Sequence, residues 1–511
     1  MKSSFTVMIS YPPLSGEGTA LLSQNRQFQW FKSPTFIYPV VPASAATLLK
    51  EHGFDVIWND CGAEGLDHEA FLKIIQEKKP DVIAFETKTP VVKQHWKIIN
   101  EIKALGNAPS GPLTVLYGDH VTALPEESFK NSAVDYVLTG GDYDFLLLSL
   151  CKALRLMRSP DTRHQSPEKN LSTVDYRPST QFEPGIYFRE NGQVRNTGKF
   201  ELNHDLNSLP TIDRDLTRWE LYAYKNGNFK RTPGTYIMSG RDCWWGKCTF
   251  CSWPTLYPRF RFRRYTNVLD EIGSLIERYK VREIMDDAGT LAIDDWLKGL
   301  CLGMVERGYQ KKIYLDCNMR FGHLKAEDYR LMKKANFRLL LFGVESANQA
   351  TLDRLNKNLK VDDVITGCKA ARAAGLYPHI TIMFGYPWET YEDAQRTLKL
   401  GSYLLRKGYA YTVQATVVIP YPGTPLFDEC RSQGLLLSED WDRYGMKEPV
   451  MKTGMAPEEL LALVRSIYRI GLHPELIVNR LAGVRDLDDL KYFGRAGKKV
   501  IGHILDFKKK P

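Results

Sequence analysis

Short apolar runs alternate with segments of helical periodicity in two regions of the chain, and this alternation constrains the fold more than any other feature. Between Phe5 and Leu154 the apolar runs are FTVMIS, DVIWND, DVIAFET, LTVLYGD and VDYVLTGG. Repetition of strand and helix is typical of a parallel, doubly wound sheet, in which ligands bind at the carboxyl ends of the strands. Residues 1–154 therefore predict a Rossmann-like α/β domain.

The alternation returns at Thr235 and continues over residues 235–428, from TYIMSG to TVQATVVIP. Six strand–helix steps are too few to close an eight-stranded barrel but suit an open, partial (β/α)6 barrel. The intervening residues, 155–234, are rich in polar residues and predict a linker that contains one hairpin with Asn-Gly at its turn. Residues 429–511 predict a helical C-terminal appendage.

The composition excludes several classes of protein. With 511 residues, of which 43% are apolar and 25% charged, the chain has the composition of an ordinary globular protein and not of a disordered one. It contains neither an apolar run long enough to span a membrane nor a signal peptide, so we expect a cytoplasmic protein. The net charge of +9 is spread along the sequence, and no nucleic-acid partner is expected.

Three of the nine cysteines, Cys243, Cys248 and Cys251, lie together in the segment SGRDCWWGKCTFCSWP. The segment follows the first strand of the second α/β region, so its loop lies at the strand ends where such folds hold their chemistry. A zinc ion would need a fourth ligand, and no other Cys or His stands within thirty residues on either side. An iron–sulfur cluster on three cysteines leaves one iron open. Zinc and chance clustering are the alternatives.

The cysteine segment resembles the motif of the radical S-adenosylmethionine (SAM) superfamily, C-x3-C-x-aromatic-C. Phe250 stands at the aromatic position, and one extra residue separates the first two cysteines. An extra loop residue is usually tolerated. In that superfamily the three thiolates hold a [4Fe–4S] cluster, and the open iron binds the amino and carboxylate groups of SAM. The resemblance therefore implies a [4Fe–4S] cluster on the three cysteines, with Phe250 close to the adenine.

Five further segments are similar to a branch of this superfamily that carries an N-terminal cobalamin-binding-like domain. They are DLNSLPTIDRDL (Asp205–Leu216), IMDDAGT, LLLFGVES, FGYPWET and PYPGTPLFDE, in the order of that branch. The resemblance implies SAM contacts from five residues at strand ends: Asp286, Asp287, Arg320, Glu345 and Gly385. The alternatives are helix N-caps for the aspartates, structural ion pairs for the arginine and the glutamate, and an ordinary turn for the glycine.

Aromatic side chains surround the cysteines and the later strand ends. Trp244, Trp245 and Trp253 can exclude water from a low-potential cluster or stack on a flat ligand, and ordinary packing is the alternative. Tyr386 and Tyr421 stand near strand ends, where a tyrosine can relay a hydrogen atom or a proton.

The N-terminal region lacks the D-x-H-x-x-G signature that supplies a histidine ligand to cobalt, because Asp119 and His120 are adjacent in the sequence. Many members of the branch bind cobalamin with its base displaced. Partial matches to the branch's loops imply cobalamin contacts from six residues: Thr87, Gly118, His120, Thr122, Gly140 and Gly141. A vestigial docking domain is the alternative.

The resemblance implies an enzyme that cleaves SAM reductively and forms a 5′-deoxyadenosyl radical, which abstracts hydrogen from an unactivated carbon. With cobalamin, the implied reaction is methyl transfer to that carbon. The second hypothesis is a radical cyclase, oxidative or carbon–carbon-coupling enzyme, and the third is a non-catalytic sensor. A methylthiotransferase is not favoured, because its N-terminal domain brings three cysteines and this one has only Cys61 and Cys151. The implied partners are a small-molecule, lipid or peptide substrate and a low-potential electron donor such as flavodoxin or ferredoxin.

Overall fold

The structure, a computed structural model, describes residues 5–16, 19–20, 30–31, 35–105, 111–158, 182–481 and 483–507. The chain divides into two compact units. The N-terminal unit comprises residues 1–15, 39–218 and 255–257, and the C-terminal unit comprises residues 16–38, 219–254 and 258–511. Most of the polar part of the predicted linker, residues 159–181, lies outside the described residues.

A seven-stranded sheet forms the centre of the N-terminal unit. Its strands are β1 Thr6–Tyr11, β2 Asp55–Asp60, β3 Val82–Glu86, β4 Leu113–Tyr117, β5 Tyr136–Leu138, β6 Ile186–Glu190 and β7 Gln193–Asn196. The spatial order is β2-β1-β3-β4-β5-β6-β7, and the first five of these strands run parallel. β1 and β3 are buried along their whole length, as expected where helices cover both faces of a sheet.

Helices and short turns connect these strands, and they confirm the predicted doubly wound, Rossmann-like sheet. They are α1 Val40–Glu51, α2 Cys61–Glu64, α3 His68–Lys78, α4 Val92–Ala104, α5 Asp119–Ala123, α6 Pro125–Asn131 and α7 Tyr143–Arg158, with 3-10 turns at Thr89–Val91 and Leu206–Ser208. The strand order reverses next to β1. The carboxyl ends of β1 and β3 therefore border the crevice where sheets of this kind bind ligands.

The predicted hairpin belongs to this sheet, because β6 pairs antiparallel with β5 and β7 with β6. His204, which follows the hairpin, contacts two carboxylates of the N-terminal unit. Its Nδ1 lies 3.1 Å from Asp142 Oδ2, and its Nε2 lies 2.9 Å from Glu183 Oε2. Its ring stacks on Phe145, with the ring centroids 4.2 Å apart. Burial lowers the pKa of His204, but the two carboxylates outweigh this effect and raise the pKa to about 9.

The C-terminal unit is built on a six-stranded parallel sheet whose spatial order follows the chain. Its strands are β8 Gly234–Ile237, β9 Glu283–Asp286, β10 Tyr314–Met319, β11 Phe337–Glu345, β12 Tyr377–Phe384 and β13 Thr412–Val417. This open sheet confirms the predicted partial (β/α)6 barrel. Two short antiparallel pairs are also present, Gly240–Arg241 with Arg261–Phe262 and Thr19–Ala20 with Trp30–Phe31.

The remaining helices follow residue 219. They are α8 Glu220–Ala223, α9 Trp253–Leu256, α10 Tyr265–Tyr279, α11 Asp294–Glu306, α12 Ala326–Lys334, α13 Gln349–Arg354, α14 Val361–Ala373, α15 Tyr391–Arg406, α16 Pro425–Ser432, α17 Pro457–Ile470, α18 Pro474–Leu481 and α19 Leu487–Asp506, with 3-10 turns at Tyr309–Lys311 and Trp441–Arg443. The helices α17 to α19 confirm the predicted helical C-terminal part. Over the described ranges, no helix combines the length and the apolar character needed to cross a membrane.

A buried arginine connects three neighbouring strands near their amino ends. Arg338 Nη2 on β11 lies 2.6 Å from Glu283 Oε1 on β9 and 2.7 Å from Asp316 Oδ2 on β10. The three side chains are at most 2% exposed. Asp316 also accepts a hydrogen bond from the backbone N–H of Leu339. The amino end of such a sheet serves stability, so we assign this ion cluster a structural role.

Replacing Arg338 by Met removes the cation that two buried carboxylates share. We expect the free energy of unfolding to fall by about 3–5 kcal/mol, measured by urea denaturation. The control is Arg282→Met. Arg282 is 45% exposed and forms an ion pair of 2.7 Å with Asp488, so its replacement should lower the free energy of unfolding by about 1 kcal/mol or less. Equal losses in the two variants would contradict the structural role of the buried cluster.

The stability contribution of His204 depends on pH. Because its pKa rises from 6.5 to about 9 on folding, the contribution is complete below pH 6.5 and disappears as the pH rises through about 9. We expect the difference in melting temperature between the wild type and His204→Gln to shrink across this interval. A difference in melting temperature that stays constant from pH 6.5 to pH 9 would contradict this contribution.

Candidate functional site

The three clustered cysteines follow β8 and form one electrostatic group. All three are free thiols and half-buried. Burial raises the pKa of Cys251, and the neighbouring Cys248 and Cys243 raise it further. The backbone N–H of Cys251 donates to the carbonyl of Cys248 over 3.3 Å. The sequence prediction that one loop presents these three thiols at the carboxyl end of the sheet agrees with this arrangement.

Two cations lie beside these thiols. Burial raises the pKa of Cys248, whereas Lys357 and Arg320 lower it. Arg320 Nη1 lies 3.9 Å from Cys248 Sγ, and Cys243 Sγ lies 3.2 Å from Thr290 Oγ1. In the part of the chain that the structure describes, no three His, Cys, Asp or Glu side chains form a group that could hold a single metal ion. An iron–sulfur cluster binds each thiolate to a different iron, and three thiols beside two cations fit such a cluster.

The predicted SAM residues Asp286 and Asp287 lie at the end of β9 and are buried. Asp286 accepts hydrogen bonds from the backbone N–H groups of Ser239 and Ala288, each over 3.1 Å. Burial raises the pKa of Asp286, although these donors oppose the effect. The N–H of Asp287 donates to the carbonyl of Ile237 over 2.8 Å. Both aspartates therefore help to hold the ends of β8 and β9 together, next to the cysteine loop.

Glu345 ends β11 and is paired with a lysine that the sequence analysis missed. Lys357 Nζ lies 2.5 Å from Glu345 Oε1, and both side chains are less than 10% exposed. The lysine Nζ is also 5.8 Å from the centroid of the Phe250 ring. Glu345 has φ 68°, a conformation that is costly for a residue other than glycine and is common at functional sites. Lys357 stands in a loop beyond α13, where neither periodicity nor a motif marks it.

Gly385 and Tyr386 follow β12. Gly385 has φ 98°, and a Cβ atom on it would come within 3.0 Å of Leu460, so the turn requires glycine. The Tyr386 hydroxyl is buried without a hydrogen-bond partner among the described residues. Burial raises its pKa, as do the charges of Glu345, Glu389 and Cys248. Tyr386 therefore shares the electrostatic environment of the cysteine site, whereas the Tyr421 hydroxyl donates to the carbonyl of Tyr444 over 3.1 Å.

The polar residues of the predicted cobalamin set are engaged in contacts within the N-terminal unit. Thr87 Oγ1 lies 2.7 Å from His95 Nδ1. The two ring nitrogens of His120 lie 3.1 Å from Thr89 Oγ1 and 3.0 Å from Glu127 Oε2. His120 is therefore not poised to ligate cobalt. Thr122 Oγ1 donates to the carbonyl of Gly118 over 2.7 Å and accepts from the N–H of Gly140 over 3.0 Å.

The three glycines of that set are also closely packed. A Cβ atom would come within 2.2 Å of the Thr87 carbonyl oxygen at Gly118, within 2.4 Å of the Phe200 ring at Gly140, and within 1.9 Å of the Tyr257 ring at Gly141. Tyr257 also donates from its hydroxyl to the carbonyl of Gly141 over 2.9 Å. The unit's own side chains and backbone thus occupy the space that these glycines leave.

A second polar group, which the sequence analysis missed, lies at the carboxyl edge of the N-terminal sheet. The Tyr11 hydroxyl donates to Glu86 Oε2 over 2.5 Å, and the rings of Tyr117 and Tyr143 stack with their centroids 4.2 Å apart. Glu86 Oε1 and the hydroxyls of Tyr117 and Tyr143 are buried without hydrogen-bond partners among the described residues. Burial raises the pKa of Glu86. The available signal was an acidic residue at the end of the otherwise apolar run DVIAF.

Comparisons with known proteins agree with this architecture. The profile of the Radical SAM superfamily matches residues 237–401. An uncharacterized methyltransferase of Pyrococcus horikoshii is 26% identical over 443 residues, which cover 85% of this chain and 87% of that protein. The anaerobic magnesium-protoporphyrin IX monomethyl ester cyclase of Rubrivivax gelatinosus is 24% identical over 438 residues, covering 84% of this chain and 73% of the cyclase.

Two solved structures share the fold. The radical SAM methyltransferase TsrM from Kitasatospora setae, solved with cobalamin and a [4Fe–4S] cluster bound, has a TM-score of 0.66 and 15% identity, with 98% of this chain and 99% of TsrM covered. The cobalamin-dependent radical enzyme OxsB, solved with aqua-cobalamin and SAM, has a TM-score of 0.68 and 14% identity, with 98% of this chain and 72% of OxsB covered. Each of the two alignments covers nearly the full length of this chain.

The cysteine loop depends on Gly289. Asp242, which precedes Cys243, is buried, and a Cβ atom on Gly289 would come within 1.7 Å of its Oδ1. We expect Gly289→Ala to displace Asp242 and to lower the iron content after anaerobic reconstitution severalfold. The control Gly497→Ala, in α19, places its Cβ atom in open space and should keep the iron of the wild type. Full iron in Gly289→Ala would show that the loop tolerates the displacement.

Proposed function

We propose that the chain is a member of the radical SAM superfamily and a cobalamin-dependent methyltransferase that acts on an unactivated carbon. The observation that carries the proposal is the triad of Cys243, Cys248 and Cys251 at the carboxyl end of an open, six-stranded parallel sheet. When bound, a [4Fe–4S] cluster supplies the electron that cleaves SAM, and cobalamin supplies the methyl group.

The residues around the triad are suited to bind SAM. Phe250 packs against a buried apolar cluster and offers a ring surface for the adenine. The Glu345 carboxylate, which Lys357 holds through Oε1, can accept hydrogen bonds from hydroxyl groups, and the carboxylates of Asp286 and Asp287 suit an ammonium group. The turn at Gly385 keeps side-chain bulk away from the strand end. These residues form the SAM site that we propose.

The relatives support methyl transfer as the outcome. The Pyrococcus horikoshii relative is named a methyltransferase, and TsrM and OxsB were solved with cobalamin. In the N-terminal unit, Glu86, Tyr117 and Tyr143 present buried polar atoms that have no partner in the described part of the chain, at the edge where such sheets bind ligands. These atoms fit a ligand with many amide groups. Since both ring nitrogens of His120 are engaged, we propose that cobalamin binds without a protein ligand to cobalt.

A second candidate function is a radical reaction without methyl transfer, such as ring closure. The specific observation in its favour is that Phe200 and Tyr257 occupy the space beside Gly140 and Gly141, two of the residues predicted to contact cobalamin. The relative from Rubrivivax gelatinosus is a cyclase, which is consistent with this alternative.

The proposal includes a cytosolic location and an external low-potential electron donor of the flavodoxin or ferredoxin type. All nine cysteines are free thiols, as is typical of proteins kept in a reducing compartment. A substrate is proposed only by class, as a small molecule, a lipid or a peptide with an unactivated carbon.

The cluster is tested by iron analysis. Anaerobic reconstitution of the wild type should give about four irons per chain, because three thiolates hold a cluster of that size. Cys248→Ala should lose most of this iron, whereas Cys368→Ala, which removes a buried thiol on α14 in the same unit, should retain it. Equal iron in the two variants would contradict the cluster assignment.

Methyl transfer is tested by the products. With hydroxocobalamin supplied during anaerobic purification, we expect stoichiometric cobalt, and with dithionite, SAM and a cell extract we expect both 5′-deoxyadenosine and S-adenosylhomocysteine. Four irons and 5′-deoxyadenosine without cobalt or S-adenosylhomocysteine would establish the second candidate function instead.

His120→Gln should leave the cobalt spectrum unchanged, and a change would contradict binding without a histidine ligand.

A further inference from the structure

Arg320 donates a hydrogen bond to one of the three cysteines, and its contacts differ from those expected of a residue that binds SAM. Its Nη1 points to Cys248 Sγ at 3.9 Å, and its Nη2 donates to the carbonyl of Lys357. The side chain is 7% exposed, and its Nε has no hydrogen-bond partner among the described residues. The guanidinium is therefore directed at the cysteine and at the backbone that follows α13.

Two consecutive tryptophans hold this guanidinium. Arg320 Cζ lies 5.5 Å from the centroid of the Trp244 ring and 5.1 Å from that of Trp245. Cation–π contacts of this kind are stronger where water is excluded. Both tryptophans are themselves fixed: Trp245 Nε1 donates to the carbonyl of Asn356 over 2.7 Å, and Trp244 packs edge-on against His323 with their centroids 4.6 Å apart.

We call the two tryptophan rings, Trp244 and Trp245, the clamp of Arg320, and the spacing of the cysteines accounts for it. Trp244 and Trp245 lie between Cys243 and Cys248, in the segment that is one residue longer than the motif of the superfamily. The same loop thus supplies two cluster thiols and the two rings that hold a cation against one of them. Lys357 adds to the arrangement, because its carbonyl accepts from Arg320 while its Nζ pairs with Glu345.

We propose that Arg320, clamped by Trp244 and Trp245, raises the reduction potential of the cluster by holding a fixed positive charge and an N–H donor against Cys248. This inference rests on the proposed function, because it requires the [4Fe–4S] cluster. The step concerned is the one-electron reduction of the cluster by the external donor, which adds one negative charge and breaks no bond. Arg320 acts through the cysteine and is a positioning residue.

The physical basis is the charge that the cluster gains. A nearby cation stabilises the reduced, more negative state, and hydrogen bonds to the cluster sulfurs have the same effect. An arginine is the appropriate residue because its guanidinium stays protonated at any physiological pH and because its flat shape stacks on aromatic rings. A lysine at this position would keep the charge but would lose the stacking and the forked hydrogen bonding.

The test measures the midpoint potential of the reconstituted holoenzyme without SAM, by redox titration followed by electron paramagnetic resonance. For Arg320→Met we expect the equilibrium constant for reduction to fall at least tenfold, which is about 59 mV toward more negative potential for one electron. Arg320→Lys should recover part of the shift. The matched control is Arg354→Met, which removes a guanidinium stacked 4.0 Å from the Trp388 ring centroid in the same unit and should leave the potential unchanged.

A second variant covers the case in which Arg320→Met fails to fold or to retain iron. Trp245→Leu keeps the arginine but removes one wall of the clamp, and we expect a smaller shift in the same direction. Unchanged potentials in Arg320→Met and Trp245→Leu would overturn the inference, as would loss of iron in both variants, which would assign these residues to cluster assembly. A weaker affinity of Arg320→Met for SAM with an unchanged potential would also overturn it and return Arg320 to the SAM site. A wild type without four irons would instead refute the proposed function.

Discussion

Parallel backbone pairing of neighbouring strands from β8 through β13 decides where chemistry takes place in the C-terminal unit. Since all six strands run in the same direction, their carboxyl ends lie at one edge. The residues at the end of each strand therefore also lie at this edge. Asp286, Arg320 and Glu345 are separated by 25 or more positions in sequence, yet each stands at a strand end. The cysteine loop follows the first strand and reaches the same edge. The repeated parallel pairing of the strands therefore brings residues from several distant parts of the sequence into one site.

The buried cations at the two ends of this sheet have different partners. Near the amino end, Arg338 is enclosed with Glu283 and Asp316, so that the buried cation lies in contact with two carboxylates. At the carboxyl end, Arg320 and Lys357 lie beside the thiols, and Arg320 directs one N–H group at the sulfur of Cys248. Burial makes any unbalanced charge costly, so the closed cluster supports stability and the open one suits an anionic cofactor.

The sheet of the N-terminal unit also carries buried polar groups at its carboxyl edge. Its crevice edge carries Glu86 with Tyr11, Tyr117 and Tyr143, a buried group that combines a carboxyl of raised pKa with phenol hydroxyls. Several of their polar atoms have no hydrogen-bond partner among the residues that the structure describes. Buried polar atoms of this kind are rare in folded proteins, and their concentration at a ligand-binding edge favours a bound polar molecule there.

The sequence by itself determined the elements that depend on local pattern. Alternating apolar runs and amphipathic segments predicted both sheets and the open barrel, because burial on both faces leaves a continuous apolar strand signal. The spacing of Cys243, Cys248 and Cys251 predicted the thiol triad, since ligands in one loop are close in space wherever the chain folds. The motifs at the strand ends likewise placed Asp286 and Glu345 at the edge of the sheet.

Only the tertiary structure decided which side chains satisfy one another across that edge. Lys357 pairs with Glu345 from a loop without any motif, and Arg320 is directed by two tryptophans toward Cys248 and away from open space. Likewise, contacts with Thr89 and Glu127 occupy both ring nitrogens of His120. Such pairings follow from packing between residues far apart in sequence, and local periodicity carries no information about them.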